Sequence, residues 1–184
     1  ILLDLVKKIF LFFVSIHFFN KMTSQYETQN YDIIKIVDKA EIRYYPSVMT
    51  IKSNRKNGFI NLFGYISGKN GKNKKIDMTT PVYLKKEDNI EVMEFILPHS
   101  YNNKNTPISM SPEVLVYQST PYYYLALKFG GYAFQSIVNK TSRELKIIAN
   151  ENNIQIVGEP ILLVYNSPYK IFNRRNEILY KISE

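Results

Sequence analysis

The sequence predicts an α+β domain: a twisted antiparallel β-sheet or distorted β-barrel flanked by two α-helices. Three observations predict it. Short apolar stretches recur between turn-forming clusters. Only two stretches, Phe59–Ile66 and Phe134–Asn150, carry helical spacing. The order strand–strand–helix–strand–strand occurs twice.

Tyr31–Val37 and Ala40–Tyr45 read as strands split by a turn at Asp38-Lys39, and Pro46 closes the second at an edge or turn. Val48–Ser53 alternates again, and Asn54–Gly58 breaks the pattern. Phe59, Leu62, Phe63 and Ile66 fall at i, i+3, i+4 and i+7, the spacing of one helix face, with Gly64 as a weak point inside it. The basic loop Ser67–Asn73 ends this helix. Lys75–Leu84 reads as a strand containing Met78 and Pro81, Ile90–Leu97 as a strand with near period-2 alternation, and Pro98–Pro112 as a long polar loop.

The second half begins with strands Glu113–Gln118 and Tyr122–Phe129 around a turn at Ser119–Pro121. Gly130-Gly131 breaks the pattern, and Phe134–Asn150 is a helix with Ile137, Val138, Leu145 and Ile148 on its apolar side. Ile154–Val157 and Ile161–Tyr165 are short strands on either side of Gly158–Pro160; Asn166–Asn173 is a loop and Asn176–Ile182 the last strand. Pro81 and Pro160 sit at comparable points, each before an apolar strand, which predicts an internal duplication of roughly 75 residues. Two such halves would form one sheet or open barrel with both helices outside. A cleft between helix and sheet is then a natural ligand site.

At 184 residues and 45% apolar content the chain can bury one real core. Its 15 Tyr and 11 Phe, with no Trp, supply abundant flat surface suited to a half-buried sheet or a flat ligand. The net charge is +8 and the pI about 9.4. Such a balance serves solubility, or an anionic partner. Basic residues cluster at Arg55-Lys56, Lys69–Lys75 and Arg174-Arg175, but no helical basic stripe, zinc-finger spacing or RNA-binding signature accompanies them, so no nucleic-acid partner is expected. With no Cys, disulfides, thiolate metal sites and a Cys nucleophile are excluded; with only His17 and His99, a His-based zinc site is not expected.

Lys7-Lys8 precede an apolar run of 11 residues, Ile9–Phe19, closed by Asn20-Lys21. The run is short for a bilayer span, which takes about 20 residues, and resembles the basic and apolar regions of a secretory signal without its cleavage site. The expected organisation is a signal or membrane-anchor segment over residues 1–21, a polar linker over 22–30 and the folded domain over 31–184. Membrane attachment would run through Ile9–Phe19, making the protein membrane-anchored or exported; translation from Met22 would make it cytoplasmic.

No motif supports catalysis. There is no nucleophile elbow, P-loop or GxGxxG, and the Ser residues lack a paired His. Asp77 and Glu177 form a carboxylate pair only if the fold joins them.

Several segments resemble the SOUL haem-binding protein family. These are Glu41-Ile42-Arg43-Tyr44-Tyr45-Pro46; Phe63–Gly68 followed by Lys75-Ile76-Asp77-Met78-Thr79-Thr80-Pro81-Val82; Phe95–Pro98; Phe129-Gly130-Gly131-Tyr132; and Tyr165-Asn166-Ser167-Pro168 with Arg174-Arg175-Asn176-Glu177. They run in order from about Tyr31 to Ile182. With its N-terminal apolar segment the chain looks like a bacterial-type member. The resemblance implies a distorted β-barrel of two similar halves and non-covalent binding of haem or a related porphyrin, without catalysis, as a carrier, buffer or sensor. Another amphipathic anionic ligand, a protein partner, or demetallation of a tetrapyrrole are the alternatives.

A haem site needs an apolar platform, cations for two propionates and, in some proteins, an axial ligand. The family's haem contacts lie on the first helix, which points to Phe59, Phe63 and Ile66; Phe59 and Phe63 stand where a relative carries methionines. Lys56 matches a basic position that can meet a propionate. A second such position falls at Gly64, leaving Arg55 or Lys69 to compensate. A histidine assigned as axial ligand in some members is Tyr44 here, and Tyr can ligate ferric haem. Tyr169 and Ile171 lie in a loop resembling the one that faces the haem helix. Arg174, Arg175 and Glu177 read as an Arg–Glu pair anchoring the last strand, and Asp77 and Thr79 as partners for backbone groups beside Pro81.

Overall fold

A computed structural model describes residues 26–54 and 56–183. The elements are β1 (Glu27–Thr28), β2 (Asp32–Val37), β3 (Ala40–Tyr45), β4 (Met49–Asn54), α1 (Gly58–Ile66), β5 (Thr79–Thr80), β6 (Val82–Glu87), β7 (Ile90–Ile96), β8 (Leu115–Gln118), β9 (Tyr122–Phe129), α2 (Gln135–Glu151), β10 (Ile156–Val164) and β11 (Asn176–Ile182). Nine strands form one antiparallel sheet in the order β2-β3-β9-β11-β10-β6-β7-β4-β8. The α+β class is as expected. The sheet is not closed into a barrel: β2 and β8 are its edges.

The internal duplication is structural, and the strand register defines it. β4 pairs Lys52 with Glu94, Ile51 with Phe95 and Thr50 with Ile96 on β7. β9 pairs Lys128 with Glu177, Leu127 with Ile178 and Ala126 with Leu179 on β11. β6 and β10 lie side by side at the centre with Tyr83 opposite Leu163, so a local two-fold passes between these two residues. The halves are β3-β4-α1-β6-β7 and β8-β9-α2-β10-β11. Their first strands are exchanged: β3 completes the second half on β9, and β8 the first half on β4. Val82 faces Phe95 and Leu162 faces Ile178, so Val82 matches Leu162, and the two prolines are offset by one residue.

Side-chain alternation sorts the core by face. Both helices lie on the same face. α1 buries Leu62, Tyr65 and Ile66 against Ile51, Phe95 and Leu97. α2 buries Leu145, Ile148 and Ala149 against Leu125, Leu127, Ile178 and Tyr180. The intervening residues Ile96, Ala126, Leu163 and Leu179 point to the opposite, inner face with Tyr45, Tyr83 and Tyr165. Gly58 lets α1 begin close to the sheet, because a Cβ there would meet Met93 Cβ at 3.0 Å.

Three segments differ most from expectation. Glu27–Thr28 pairs with β5, Gln29 N–H donates to the Thr80 carbonyl and the Tyr83 hydroxyl donates to Gln29 Oε1. Part of the expected linker 22–30 is therefore folded, because this edge offers it unpaired backbone groups. Lys75–Met78 is not a strand; Pro81, which cannot donate, separates β5 from β6. Ile156–Val164 is one strand rather than two, its register shifting between Val157 and Ile161, where Gly158 takes a positive φ of 75°. The segment Ile9–Phe19 lies outside the described residues, none of whose helices is long and apolar enough to cross a membrane.

Candidate functional site

α1 presents an apolar surface to solvent. Its sheet-facing stripe is Gly58, Leu62, Tyr65 and Ile66, one position round from the face expected, so Phe59 and Phe63 stand on its flank at 52% and 50% exposure. The two rings are 5.6 Å apart between centroids and within 9° of parallel, and Phe59 meets Phe95 edge-on. Ile60, one position further round, is exposed. The helix beneath is firmly held: the Tyr65 hydroxyl donates to the Pro107 carbonyl at 2.5 Å, and Asn70 Nδ2 donates to the carbonyls of Tyr65 and Lys74.

The other expected site residues are distributed as follows. Lys56 is exposed just before α1, its backbone N–H donating to Asn54 Oδ1. Arg55 lies outside the described residues. The Lys69 side chain returns over α1, where a Cβ on Gly64 would meet its Cδ at 3.4 Å, so a cation does stand near the position Gly64 leaves bare. Ile66 is only 4% exposed and belongs to the core under α1. Tyr169 is 91% exposed on the β10–β11 loop, beside the exposed Ile171 and Phe172. Tyr44 is half-buried on β3 with its ring against Tyr123, 5.1 Å between centroids. α1 packs on β4 and β7, whereas Tyr44 stands on β3 beside β9. His99 is an exposed residue after β7, its Nδ1 2.8 Å from Glu27 Oε1.

The inner face holds buried charge that the alternation conceals in the sequence. Arg43 and Glu177 are both fully buried; Arg43 Nη1 and Nη2 donate to the two carboxylate oxygens at 2.6 and 3.2 Å. Arg175 donates to Glu177 Oε1 through Nε and Nη2, and the Tyr165 hydroxyl to Oε2. Burial pushes the Glu177 carboxyl up, but the hydrogen bonds and charge of Arg43 and then Arg175 outweigh it and hold the group below the usual carboxylate range. Arg43 was missed because a charged residue at an alternate strand position reads as solvent-facing. Its signal was its place in Glu41–Pro46, one of the segments that carry the family resemblance. Arg174 donates to the carbonyls of Ser167 and Lys170 and fastens the loop, not Glu177. Thr79 Oγ1 donates to the Ile96 carbonyl, the backbone role expected of it.

A family model described as SOUL heme-binding protein matches residues 26–181, nearly the whole described chain. The chain belongs to the SOUL heme-binding protein family. Comparison with curated proteins gives no match. Among solved structures, the EcmrR C-terminal domain is similar with a TM-score of 0.54 and 14% identity, covering 84% of this chain and 98% of that one. EcmrR in a DNA complex with RPo gives a TM-score of 0.56 and 13% identity over 99% of this chain and 69% of that one. Identities this low speak for a shared fold only. The SOUL family is one of heme-binding proteins, and among the described residues no group of three or more His, Asp or Glu could hold a bare metal ion.

Proposed function

We propose that this SOUL-family protein binds haem or a related porphyrin non-covalently on the exposed flank of α1, as a carrier, buffer or sensor rather than a catalyst. The observation that carries this reading is the Phe59–Phe63 pair: two near-parallel aromatic rings left half in water on a helix whose other face is fully packed. A macrocycle laid on these rings and Ile60 removes apolar surface from water on both partners, at about 25 cal/mol per Å2. Lys56 and Lys69 supply ammonium groups for the propionates, and Tyr169 and Ile171 a second apolar wall. Ile66 acts from beneath, holding the helix to the sheet. No axial ligand is assigned, and the chemistry is retention of the tetrapyrrole.

Titration of ferric haem, followed by the Soret band and by quenching of tyrosine fluorescence, tests this; with 15 Tyr and no Trp the emission is tyrosine alone. The wild type should saturate one-to-one in the micromolar range or tighter. Phe59→Asp/Phe63→Asp should lose at least about tenfold in affinity while a cooperative melt shows that it is still folded, since both side chains are half-exposed. A linear, unsaturable response of the wild type, or full affinity in the double variant, would remove the platform.

A further inference from the structure

The inner face contains a cavity of about 330 Å3 that the α1 platform does not share. Its walls come from strands at both ends of the sheet order, so the sheet curls round it.

The local two-fold explains why it is there. It matches Glu94 to Glu177, both buried on the inner face. Two residues beyond Tyr83 and Leu163 it matches Lys85 to Tyr165, and each binds its own half's glutamate, at 2.8 and 2.9 Å. It also matches Arg43 to Ser119. Arg43 lies opposite Tyr124 on β9. In the first half the corresponding residue is Val48, whose carbonyl accepts from Ser119 N–H at 2.8 Å. In the second half a whole guanidinium fills the space before the buried carboxylate. In the first half a serine stands there, and the space is open. The bulge at Val157–Pro160 bends β10 off the mouth, with Val157, Gly158 and Glu159 on the rim.

The lining gives the ligand class. Tyr83, Tyr117, Tyr122 and Tyr124 offer flat aromatic walls. Glu94 is already satisfied by Lys85 and by the Tyr117 hydroxyl at 2.5 Å, and Glu87 by Lys52 and Lys85. The ring faces that would attract a ligand cation carry the protein's own ammonium groups: Lys52 over Tyr117 at 5.3 Å and Lys181 over Tyr122 at 4.9 Å. The lining carries four lysines, Lys52, Lys85, Lys86 and Lys181, against three glutamates, Glu87, Glu94 and Glu159, so one positive charge is left over, and among the described residues Lys181 pairs with no carboxylate. At this volume, near the lower end for small-molecule sites, one or two rings fit and a tetrapyrrole does not.

We propose that this cavity binds a small planar aromatic acid, its rings between the tyrosines and its carboxylate on Lys181. Calorimetric titration of the full chain with 2-naphthoate tests it, with 2-naphthylmethylammonium as the cationic isostere. The expected result is saturable one-to-one binding of the naphthoate and none of the ammonium. Lys181→Glu, an exposed substitution that keeps the fold, should weaken naphthoate at least about tenfold, the scale of a lost charge-assisted bond. Ser119→Arg, which refills the space as Arg43 does, should abolish binding provided its melt shows it folded. Phe59→Asp/Phe63→Asp should bind naphthoate normally, so this site and the α1 platform stand or fall separately. No saturable naphthoate binding by the wild type, full affinity in Lys181→Glu, or preference for the ammonium would overturn the proposal.

Discussion

Glu177→Gln should be the most damaging isosteric change in the molecule. The carboxylate accepts from Arg43 Nη1 and Nη2, Arg175 Nε and Nη2, and the Tyr165 hydroxyl. Glutamine keeps the shape, removes the charge and turns an amide donor toward guanidinium donors. Arg43, with no exposed surface, is left charged and short of its main partner. Breaking a buried pair from one side costs about 3–5 kcal/mol. Glu41, whose carboxylate still accepts from Arg43 Nε at 2.7 Å, places the expectation near the lower end. At about 2–4 °C per kcal/mol for a domain of this size, melting followed by circular dichroism at pH 7 should fall by roughly 10 °C. Adding Arg43→Met removes the stranded charge and should restore more than half of the loss, so the double-variant cycle reads a coupling well above the independent-site limit. A Glu177→Gln melt within about 2 °C of wild type, or a double variant as low as the sum of the singles, would refute the reasoning.

Acid should unfold the protein through the same network. Burial raises the Glu177, Glu41 and Glu87 carboxyls, but Arg43 and Arg175 on Glu177, Lys128 and Arg43 on Glu41, and Lys52 and Lys85 on Glu87 more than reverse it, so all three are held low. Folded values below the unfolded one, about 4.3, mean stability that is complete above that pH and lost as pH falls through the folded values. The urea midpoint should hold from neutral pH down to about 5 and then fall steeply below about 4; a midpoint flat to pH 3 would contradict this. Leu145→Ala opens a cavity where α2 meets β9 and β11 and should cost about 3 kcal/mol by urea denaturation.

Much of the architecture was legible because it is written in period. Tyr122–Phe129 and Asn176–Ile182 have the bounds read from alternation, and α1 and α2 begin within a residue of the helical spacing. The failures came where a neighbouring strand decides. Gly158–Pro160 reads as a break, but β11 runs alongside and the ladder absorbs the extra residues as a bulge. Glu27–Thr28 has no strand signal and is ordered by the open edge at β5. In the candidate site, Phe59 and Phe63 were reached through helical spacing together with the family resemblance, and the same spacing placed Ile66 beside them. Which side of an apolar helix meets the sheet is set by the packing of Leu62 and Tyr65, not by the helix alone.

The sequence by itself determined the strand–strand–helix–strand–strand repeat, the α+β class and the aromatic residues on α1, because each depends on local periodicity and on motifs in order. Only the tertiary structure decided that the halves exchange their first strands, that Arg43 from one half meets Glu177 from the other 134 positions away, and that Ser119 leaves open the space an arginine fills in its counterpart. Those facts depend on which strands lie side by side. Pairing is fixed by the burial of a whole sheet face, and a single strand carries only its own alternation.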